Sequence, residues 1–256
     1  MGCINIAYNM DCMEGMKDFP DKYFDLAVVD PPYGGGCSQS GNVERERELT
    51  GGAAEWDHKK RGRFGGWFNR YTIQAADIQA EGTGGGWNEK HTGGPDKITH
   101  WDIAPGPEYF RELARVSKNQ IIWGGNYFGL PPTRCFLVWK KLTISEGFTM
   151  AMAEYAWTSF NDNAKVFEYA PHGNTERRMH PTQKPIALYR WIYKLYAKPG
   201  FKILDTHLGS GSSRIAAYEA GLDFVGYELD KDYFRMEEER FAKHTMQENL
   251  FLNLGL

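Results

Sequence analysis

The chain has 256 residues and a net charge of −3, so no overall basic field holds nucleic acid, and any such contact needs a local patch. A hydrophobic fraction of 41% is ordinary for a folded globular protein and excludes a wholly disordered chain. No run of about 18 apolar residues predicts a membrane span, and the start of the chain lacks the features of a secretory signal. The 4 cysteines are widely spaced without a CxxC pair, which favours free thiols in the cytoplasm over disulfides or a zinc site.

The first 33 residues predict a compact α/β segment, with strands over 4–8 and 24–29 and a helical stretch near 13–19. The second strand is apolar and β-branched, which is typical of a strand buried on both faces. Residues 34–100 differ, because glycine clusters interrupt them and no apolar period is sustained. We interpret this segment as a long insertion that holds the most basic stretch of the chain, His58-Lys-Lys-Arg-Gly-Arg-Phe64.

From residue 101 the chain alternates again between predicted strands and helices. Strands are expected over 120–123, 136–139, 154–158, 166–169, 201–205 and 224–228. Helices are expected from Pro185 to Pro199-Gly200, through Ala216 to Gly221, and over 231–243. This alternation predicts an α/β fold with a mostly parallel sheet flanked by helices.

A glycine turn follows the predicted strand that ends at Asp205. Gly209-Ser-Gly211 leads into the next helix, where glycines let a ligand approach the backbone. Arg214 occupies the third glycine position of a dinucleotide fingerprint, so an ordinary strand-to-helix turn remains an alternative. Glu228 ends the following strand, where a carboxylate accepts hydrogen bonds from ribose hydroxyls. The combination favours a nucleoside-containing ligand over two solvated carboxylates.

The sequence Asp30-Pro-Pro-Tyr33 follows the most apolar strand. Pro31 and Pro32 fix φ and hold the preceding residues extended, so the loop is rigid. It presents the Asp30 carboxylate, the Pro31 carbonyl and the Tyr33 ring together. Acceptors beside a flat ring suit a planar base with an exocyclic amine, whereas a proline-rich turn with a capping aspartate is the alternative.

Two weaker motifs complete the set. His180-Pro-Thr-Gln-Lys-Pro185 places Thr182, Gln183 and Lys184 before a helix, where they suit a carboxylate or serve only as a helix start. Asp11 and Cys12 follow the first strand, and Asp11 is equally well explained as a helix cap.

Together these motifs resemble the amino-methylating DNA methyltransferases, which methylate adenine N6 or cytosine N4. The order, with Asp-Pro-Pro-Tyr first and Gly-Ser-Gly last, is the circularly permuted order of the β class. Stretches at 119–128 and 154–159 are similar to those of small phage-type and prophage-type adenine methyltransferases. The resemblance covers residues 1–33 and 101–243, and implies a single Rossmann-like catalytic domain over 1–256 that carries 34–100 as an insertion.

The resemblance implies S-adenosylmethionine (SAM) as cofactor, double-stranded DNA as substrate and no metal. Asp30, Pro31, Pro32 and Tyr33 would hold a target base that has left the duplex stack. The cofactor would lie against Asp11, Cys12, Thr182, Gln183, Lys184, Asp205, Gly209, Ser210, Gly211 and Glu228. One departure is His207-Leu208, where many relatives carry a Phe-x-Gly-x-Gly loop. Trp123, Tyr127 and Trp157 are candidates for the pocket wall, although core packing is the more ordinary role of each.

Asp as the first residue of the tetrapeptide favours adenine N6, whereas Ser is typical of enzymes that act on cytosine N4. Cytosine-C5 chemistry needs a nucleophilic cysteine, usually after proline, and none of the 4 cysteines follows a proline. The expected target-recognition region, 159–179, is short. The insertion or a homodimer would extend the DNA contact, and the alternative is that the insertion is a dispensable surface loop. The alternatives are a cytosine-N4 enzyme, an RNA or protein methyltransferase, a silent nucleic-acid-binding module and a dinucleotide oxidoreductase.

Overall fold

The structure is a computed structural model that describes residues 4–33, 103–144, 151–171, 179–180 and 182–254, apart from the side chains of 247–254. These residues belong to one compact unit, which joins Met1–Tyr33 to Ile103–Leu256. The interpretation of 34–100 as an insertion, with its basic stretch, lies outside the described residues, as does the 172–178 part of the expected recognition region.

Eight strands of the described residues form one sheet. In chain order they are β1 (Asn5–Asn9), β2 (Phe24–Val29), β3 (Ser117–Trp123), β4 (Phe136–Lys141), β5 (Ala153–Thr158), β6 (Lys165–Tyr169), β7 (Lys202–Asp205) and β8 (Asp223–Glu228). Their order across the sheet is β1-β8-β7-β2-β3-β5-β4-β6. Neighbouring strands are parallel except where β5 lies between β3 and β4, so the predicted mostly parallel sheet is confirmed.

Helices cover both faces of this sheet. They are α1 (Cys12–Met16), α2 (Pro107–Val116), α3 (Ile186–Tyr196), α4 (Ser212–Glu219) and α5 (Lys231–Leu254). The two faces of β2 show the arrangement. Leu26 and Val28 belong to the apolar cluster that contains α3 and α4, whereas Ala27 and Val29 belong to the cluster that contains α1 and α2. A strand buried on both faces is typically apolar, and β2 is apolar apart from the partly buried Asp25.

The sequence analysis missed α2. Pro107 stands in its first turn, where the missing N–H has no intrahelical partner to lose. Tyr109, Leu113 and Val116 recur at helical spacing and are all buried. The last helix was predicted to end at 243, but α5 continues to Leu254. No helix of the described residues combines the length and the hydropathy that a membrane span requires.

Arg214 joins three elements in the interior. It lies on α4 and donates to Asn5 of β1 at 2.7 Å, to both oxygens of Glu237 of α5 at 3.0 Å, and to Glu238 at 2.6 Å. Its guanidinium also lies 4.0 Å from the ring centroid of Phe241. Arg214, at the third glycine position of the dinucleotide fingerprint, therefore connects β1 with α5 through hydrogen bonds and ion pairs.

Parallel pairing gathers the ends of five strands at one edge. β1, β8, β7, β2 and β3 are neighbours that run in the same direction. In this register Asn9 lies opposite Glu228, and Asp205 lies opposite Gly226. The residues that follow these strands therefore meet along the carboxyl edge of the sheet, which is where open α/β sheets bind ligands.

Candidate active site

Asp30 lies directly after β2, and both of its carboxylate oxygens accept hydrogen bonds. The Tyr33 hydroxyl donates to Oδ1 at 2.7 Å, and the Lys184 ammonium donates to Oδ2. Burial raises the pKa of Asp30, whereas the charge of Lys184 and the two hydrogen bonds act in the opposite direction. Two donors on different oxygens fix the orientation of this carboxylate.

Lys184 lies between two carboxylates rather than at an open surface. Its side chain is only 3% exposed, and its ammonium contacts Glu154 at 3.2 Å as well as Asp30. Burial alone would lower the pKa of Lys184, but Asp30 and Glu154 together raise it, so the ammonium stays charged. A contact between Lys184 and a cofactor carboxylate stays a prediction, because the contacts in the structure are to these two residues.

Glu154 and Lys141 extend this arrangement, and the sequence analysis assigned a role to neither. Lys141 contacts the other oxygen of Glu154 at 2.6 Å. Burial alone would raise the pKa of Glu154, but Lys184 and Lys141 outweigh it and bring the pKa to about 2. We call Lys141, Glu154, Lys184 and Asp30 the four-charge chain, since positive and negative groups alternate along it.

The Tyr33 ring is held by the turn that follows β3. It stacks on Tyr127, with ring centroids 4.8 Å apart and planes 22° apart. A Cβ added to Gly124 would lie 2.0 Å from Cε1 of Tyr33, so the ring occupies the space of the missing side chain. Tyr127 is 57% exposed, whereas Trp123 is fully buried in the core, and a role of Tyr127 in the pocket wall stays a prediction.

Asp205 ends β7 and is almost completely buried. The Ser213 hydroxyl donates to Oδ2, and the His207 backbone N–H donates to Oδ1 at 3.1 Å. Burial raises the pKa of Asp205 to about 6, and the nearby Asp30 charge adds to this shift. The carboxylate is thus anchored by the turn that it precedes.

The Gly209-Ser-Gly211 turn lies between Glu228 and α5. The Gly209 N–H donates to one oxygen of Glu228 at 2.8 Å, and the Asp230 N–H donates to the other at 2.9 Å. Burial raises the pKa of Glu228 to about 7. On the other side, a Cβ on Gly211 would lie 2.5 Å from Cγ of Glu237, so α5 leaves no room for a side chain there. Arg240 fixes the turn by donating to the Ser210 carbonyl at 2.6 Å.

His207, which departs from the loop of many relatives, packs against α2. Its ring lies edge-on to that of Tyr109, with centroids 5.4 Å apart. Thr206 links the two, since its hydroxyl lies 2.5 Å from the Tyr109 hydroxyl and 2.9 Å from Nδ1 of His207. Burial lowers the pKa of His207 to about 4, so the ring is neutral at pH 7.

The remaining predicted site residues make local contacts. Asp11 accepts the Met13 N–H at 2.8 Å and caps α1, while burial raises the pKa of the Cys12 thiol to about 12. The Thr182 hydroxyl lies 3.1 Å from Nδ1 of His180, and Gln183 accepts the N–H of Met179 at 2.8 Å. Their contacts with a cofactor stay predictions.

Three carboxylates therefore line one sheet edge, at the ends of neighbouring strands. Asp30 follows β2, Asp205 ends β7 and Glu228 ends β8. They lie close enough that Asp30 contributes to the raised pKa of Asp205, and Asp205 to that of Glu228, although burial contributes more to each. Such an edge suits a ligand that brings several hydroxyl, amine or ammonium donors.

Parts of the chain are similar in sequence to known methylases. Residues 122–239 match the family model of N6/N4 methylases, which is described as DNA methylase. The putative methylase YubD of Escherichia coli (strain K12) is 35% identical over 65 residues, or 25% of this chain and 29% of that protein. The type II methyltransferase M.HpaI of Haemophilus parainfluenzae is 32% identical over 78 residues, or 30% of this chain and 25% of that protein. The matched segments span less than a third of the length of either relative.

The overall fold also has a match among solved structures. The PvuII DNA methyltransferase, described as cytosine-N4-specific, superposes with a TM-score of 0.51 at 12% identity, over 99% of this chain and 94% of that one. The chain therefore has a methyltransferase fold, and the predicted fold class is confirmed. The sequence similarity to the N6/N4 DNA methylases extends over residues 122–239.

Proposed function

We propose that this chain transfers a methyl group from SAM to the N6 amine of an adenine in double-stranded DNA. The observation that carries the proposal is the Asp30 carboxylate, which Tyr33 and Lys184 orient at the sheet edge that also holds Asp205 and Glu228. The match of residues 122–239 to the DNA methylases supports the reaction class.

The acceptors along this edge fit SAM, which supplies an electrophilic methyl group when bound. Glu228 is the clearest case, because it is a partly buried carboxylate whose hydrogen-bond donors among the described residues are two backbone N–H groups. Ribose hydroxyls would add donors and stabilise its charged form. We assign Asp205 and the Gly209–Gly211 turn to the methionine end, and Asp11 with Cys12 to the adenine ring of the cofactor.

Asp30 supplies the acceptor for the target amine. Each of its oxygens holds one protein donor and keeps a lone pair for a second hydrogen bond. The Pro31 carbonyl is the other acceptor, and the Tyr33 ring offers a stacking surface for the base. These residues hold the amine in line with the methyl group, so the acceleration comes from positioning and electrostatics.

Lys184 serves Asp30 in this proposal rather than the carboxylate of the cofactor. Its ammonium contacts Asp30 and is itself almost completely buried. A buried carboxylate without a cation tends to take up a proton, and a protonated Asp30 would accept hydrogen bonds poorly. Burial raises the pKa of Asp30, and Lys184 acts against that effect by favouring the ionised carboxylate.

The experiment incubates the purified full chain with methyl-labelled SAM and unmethylated genomic DNA, then digests the DNA to nucleosides for mass spectrometry. We expect N6-methyladenine. Asp30→Asn should lower the rate by roughly 100-fold or more while SAM binding, measured by calorimetry, is retained. Asp21→Asn, the same change at a 76% exposed aspartate, is the matched control and should act like the wild type.

Cytosine N4 offers Asp30 the same amine donor, so the products must be separated by base. N4-methylcytosine would keep the mechanism and correct the acceptor. SAM binding without any methyl group in DNA would contradict the proposal and direct the search to RNA or protein substrates.

A further inference from the structure

The four-charge chain reaches beyond the residues that would touch the base. We propose that Glu154 is a positioning residue for Asp30 that acts through Lys184, and that Lys141 holds Glu154 in turn. This inference rests on the proposed function, because it assigns a task to residues that lie behind the proposed base-binding carboxylate.

The adjacent strands β4 and β5 fix the positions of Lys141 and Glu154. β4 and β5 are antiparallel, with Trp139 opposite Glu154, and the Lys141 N–H continues the ladder by donating to the Met152 carbonyl at 2.8 Å. Lys141 and Glu154 are therefore diagonal neighbours on one face, where long side chains reach each other. Strand pairing sets their positions independently of the Asp30 loop.

Because the four-charge chain is largely buried, each charged side chain in it depends on its neighbour for a partner of opposite charge. The Lys184 and Lys141 side chains are 3% and 7% exposed, and Glu154 contacts both ammonium groups. Removal of Glu154 would leave two buried ammonium groups with Asp30 as the remaining carboxylate of the chain. Breaking a buried pair is costly because the charge that remains has no compensation.

Glu154 also gives Lys184 its direction. A lysine side chain has a flexible four-carbon stem and a point charge, so a single partner does not fix the position of its nitrogen. With Glu154 on one side and Asp30 on the other, the ammonium lies 5.3 Å from the Trp123 ring centroid and points at Oδ2 of Asp30. Loss of this constraint would let Asp30 turn away from the line of methyl transfer.

The groups around Lys184 predict the direction of a pH effect. Asp30 faces it from the end of β2, Glu154 from β5, and the charge of Asp205 acts from β7. Tyr189 of α3 stays neutral, because burial raises its pKa well above the usual 10. Glu154 helps to keep Lys184 charged, so its removal makes Lys184 lose its proton at lower pH.

The test compares Glu154→Gln with the wild type in steady-state methyl transfer across pH. We expect kcat to fall roughly 10- to 100-fold, with little change in the KM for SAM, and the alkaline limb of the kcat profile to move to lower pH. Lys141→Met should lower kcat less and leave the limb in place or move it upward, because Lys184 then keeps both carboxylates. Glu168→Gln is the matched control, since Glu168 forms an exposed pair with Lys140 at 2.7 Å on neighbouring strands.

Two results would overturn the inference. One is a Glu154→Gln variant whose kcat and pH profile match those of Glu168→Gln. The other is a variant that loses thermal stability but keeps the wild-type pH profile, because that result would mark Glu154 as purely structural.

A wild-type protein that fails to methylate DNA would refute the proposed function, and a second measurement then decides on Glu154. NMR of side-chain-labelled lysine follows Lys184 without turnover, with its signal identified by its loss in Lys184→Met. A Lys184 titration at lower pH in Glu154→Gln than in the wild type supports the electrostatic link. An unchanged titration overturns it.

Discussion

Replacing Gly124 by alanine should disable the site through the Tyr33 ring. Gly124 has φ +65°, and a Cβ there would lie 2.0 Å from Cε1 of Tyr33. The left-handed backbone costs an alanine about 1–2 kcal/mol by itself. In addition, the displaced ring loses its stack on Tyr127 and its hydrogen bond to Asp30, which together are worth about 2–4 kcal/mol.

Gly221 provides a control with the same backbone. Its φ is +64°, and no described atom lies within 4 Å of the position of an added Cβ. Gly221→Ala therefore carries the backbone penalty without the collision. Urea unfolding should show Gly124→Ala to be the less stable variant by about 2–4 kcal/mol, and methyl transfer should fall on the order of 100-fold in Gly124→Ala alone. Equal stabilities and equal rates for the two variants would refute the claim that this glycine exists to seat Tyr33.

Two further experiments test the interior around the site. The pKa of Glu228 is about 7 in the folded chain against an ordinary 4.5. Between pH 4.5 and pH 7 the native state therefore binds more protons at Glu228 than the unfolded state does. The contribution of Glu228 to the free energy of unfolding consequently falls as the pH rises through this range. Urea titrations without SAM should therefore show that the stability of the wild type relative to Glu228→Gln declines from pH 4.5 to pH 7, and a constant difference would contradict the assignment. Arg214→Met should lower the free energy of unfolding by about 3–5 kcal/mol, because it leaves Glu237 buried without its cation. Adding Glu237→Met should recover part of that loss, and a double variant no more stable than Arg214→Met would show that the pair is not the cause.

Local sequence patterns predicted most of the strands and helices correctly. The run of apolar and β-branched residues over 24–29 coincides with β2, and the other predicted strands agree with the structure to within three residues at either end. The helix α2 was missed although Pro107 and the spacing of Tyr109, Leu113 and Val116 mark it, because the pattern begins directly after a glycine-rich segment without any apolar period. The helical spacing of apolar residues is present in α2, but the glycine-rich sequence before it led us to overlook it.

The candidate site was predictable only where its residues end strands. Asp30, Asp205 and Glu228 each follow an apolar run, and parallel strands necessarily bring such ends to one edge. Glu154 and Lys141 carry no comparable signal, because their meeting depends on the antiparallel register of β4 and β5 and on a lysine about thirty residues further along. The contacts of Lys184 with Asp30 and Glu154 were not predictable for the same reason, since these partners are distant in sequence.

The position of β1 delays completion of the sheet during synthesis. β1 pairs with β8, and the Ile4 N–H bonds to an Asp223 side chain 219 residues away. At ordinary translation rates the ribosome needs on the order of 10–40 s to make the intervening chain. Throughout that interval β1 lacks β8, the strand with which it pairs in the described sheet. Asp30 likewise forms its ion pair only after Lys184, which lies 154 residues further along, has been synthesised. Chaperones that bind nascent chains would therefore find β1 unpaired for most of translation.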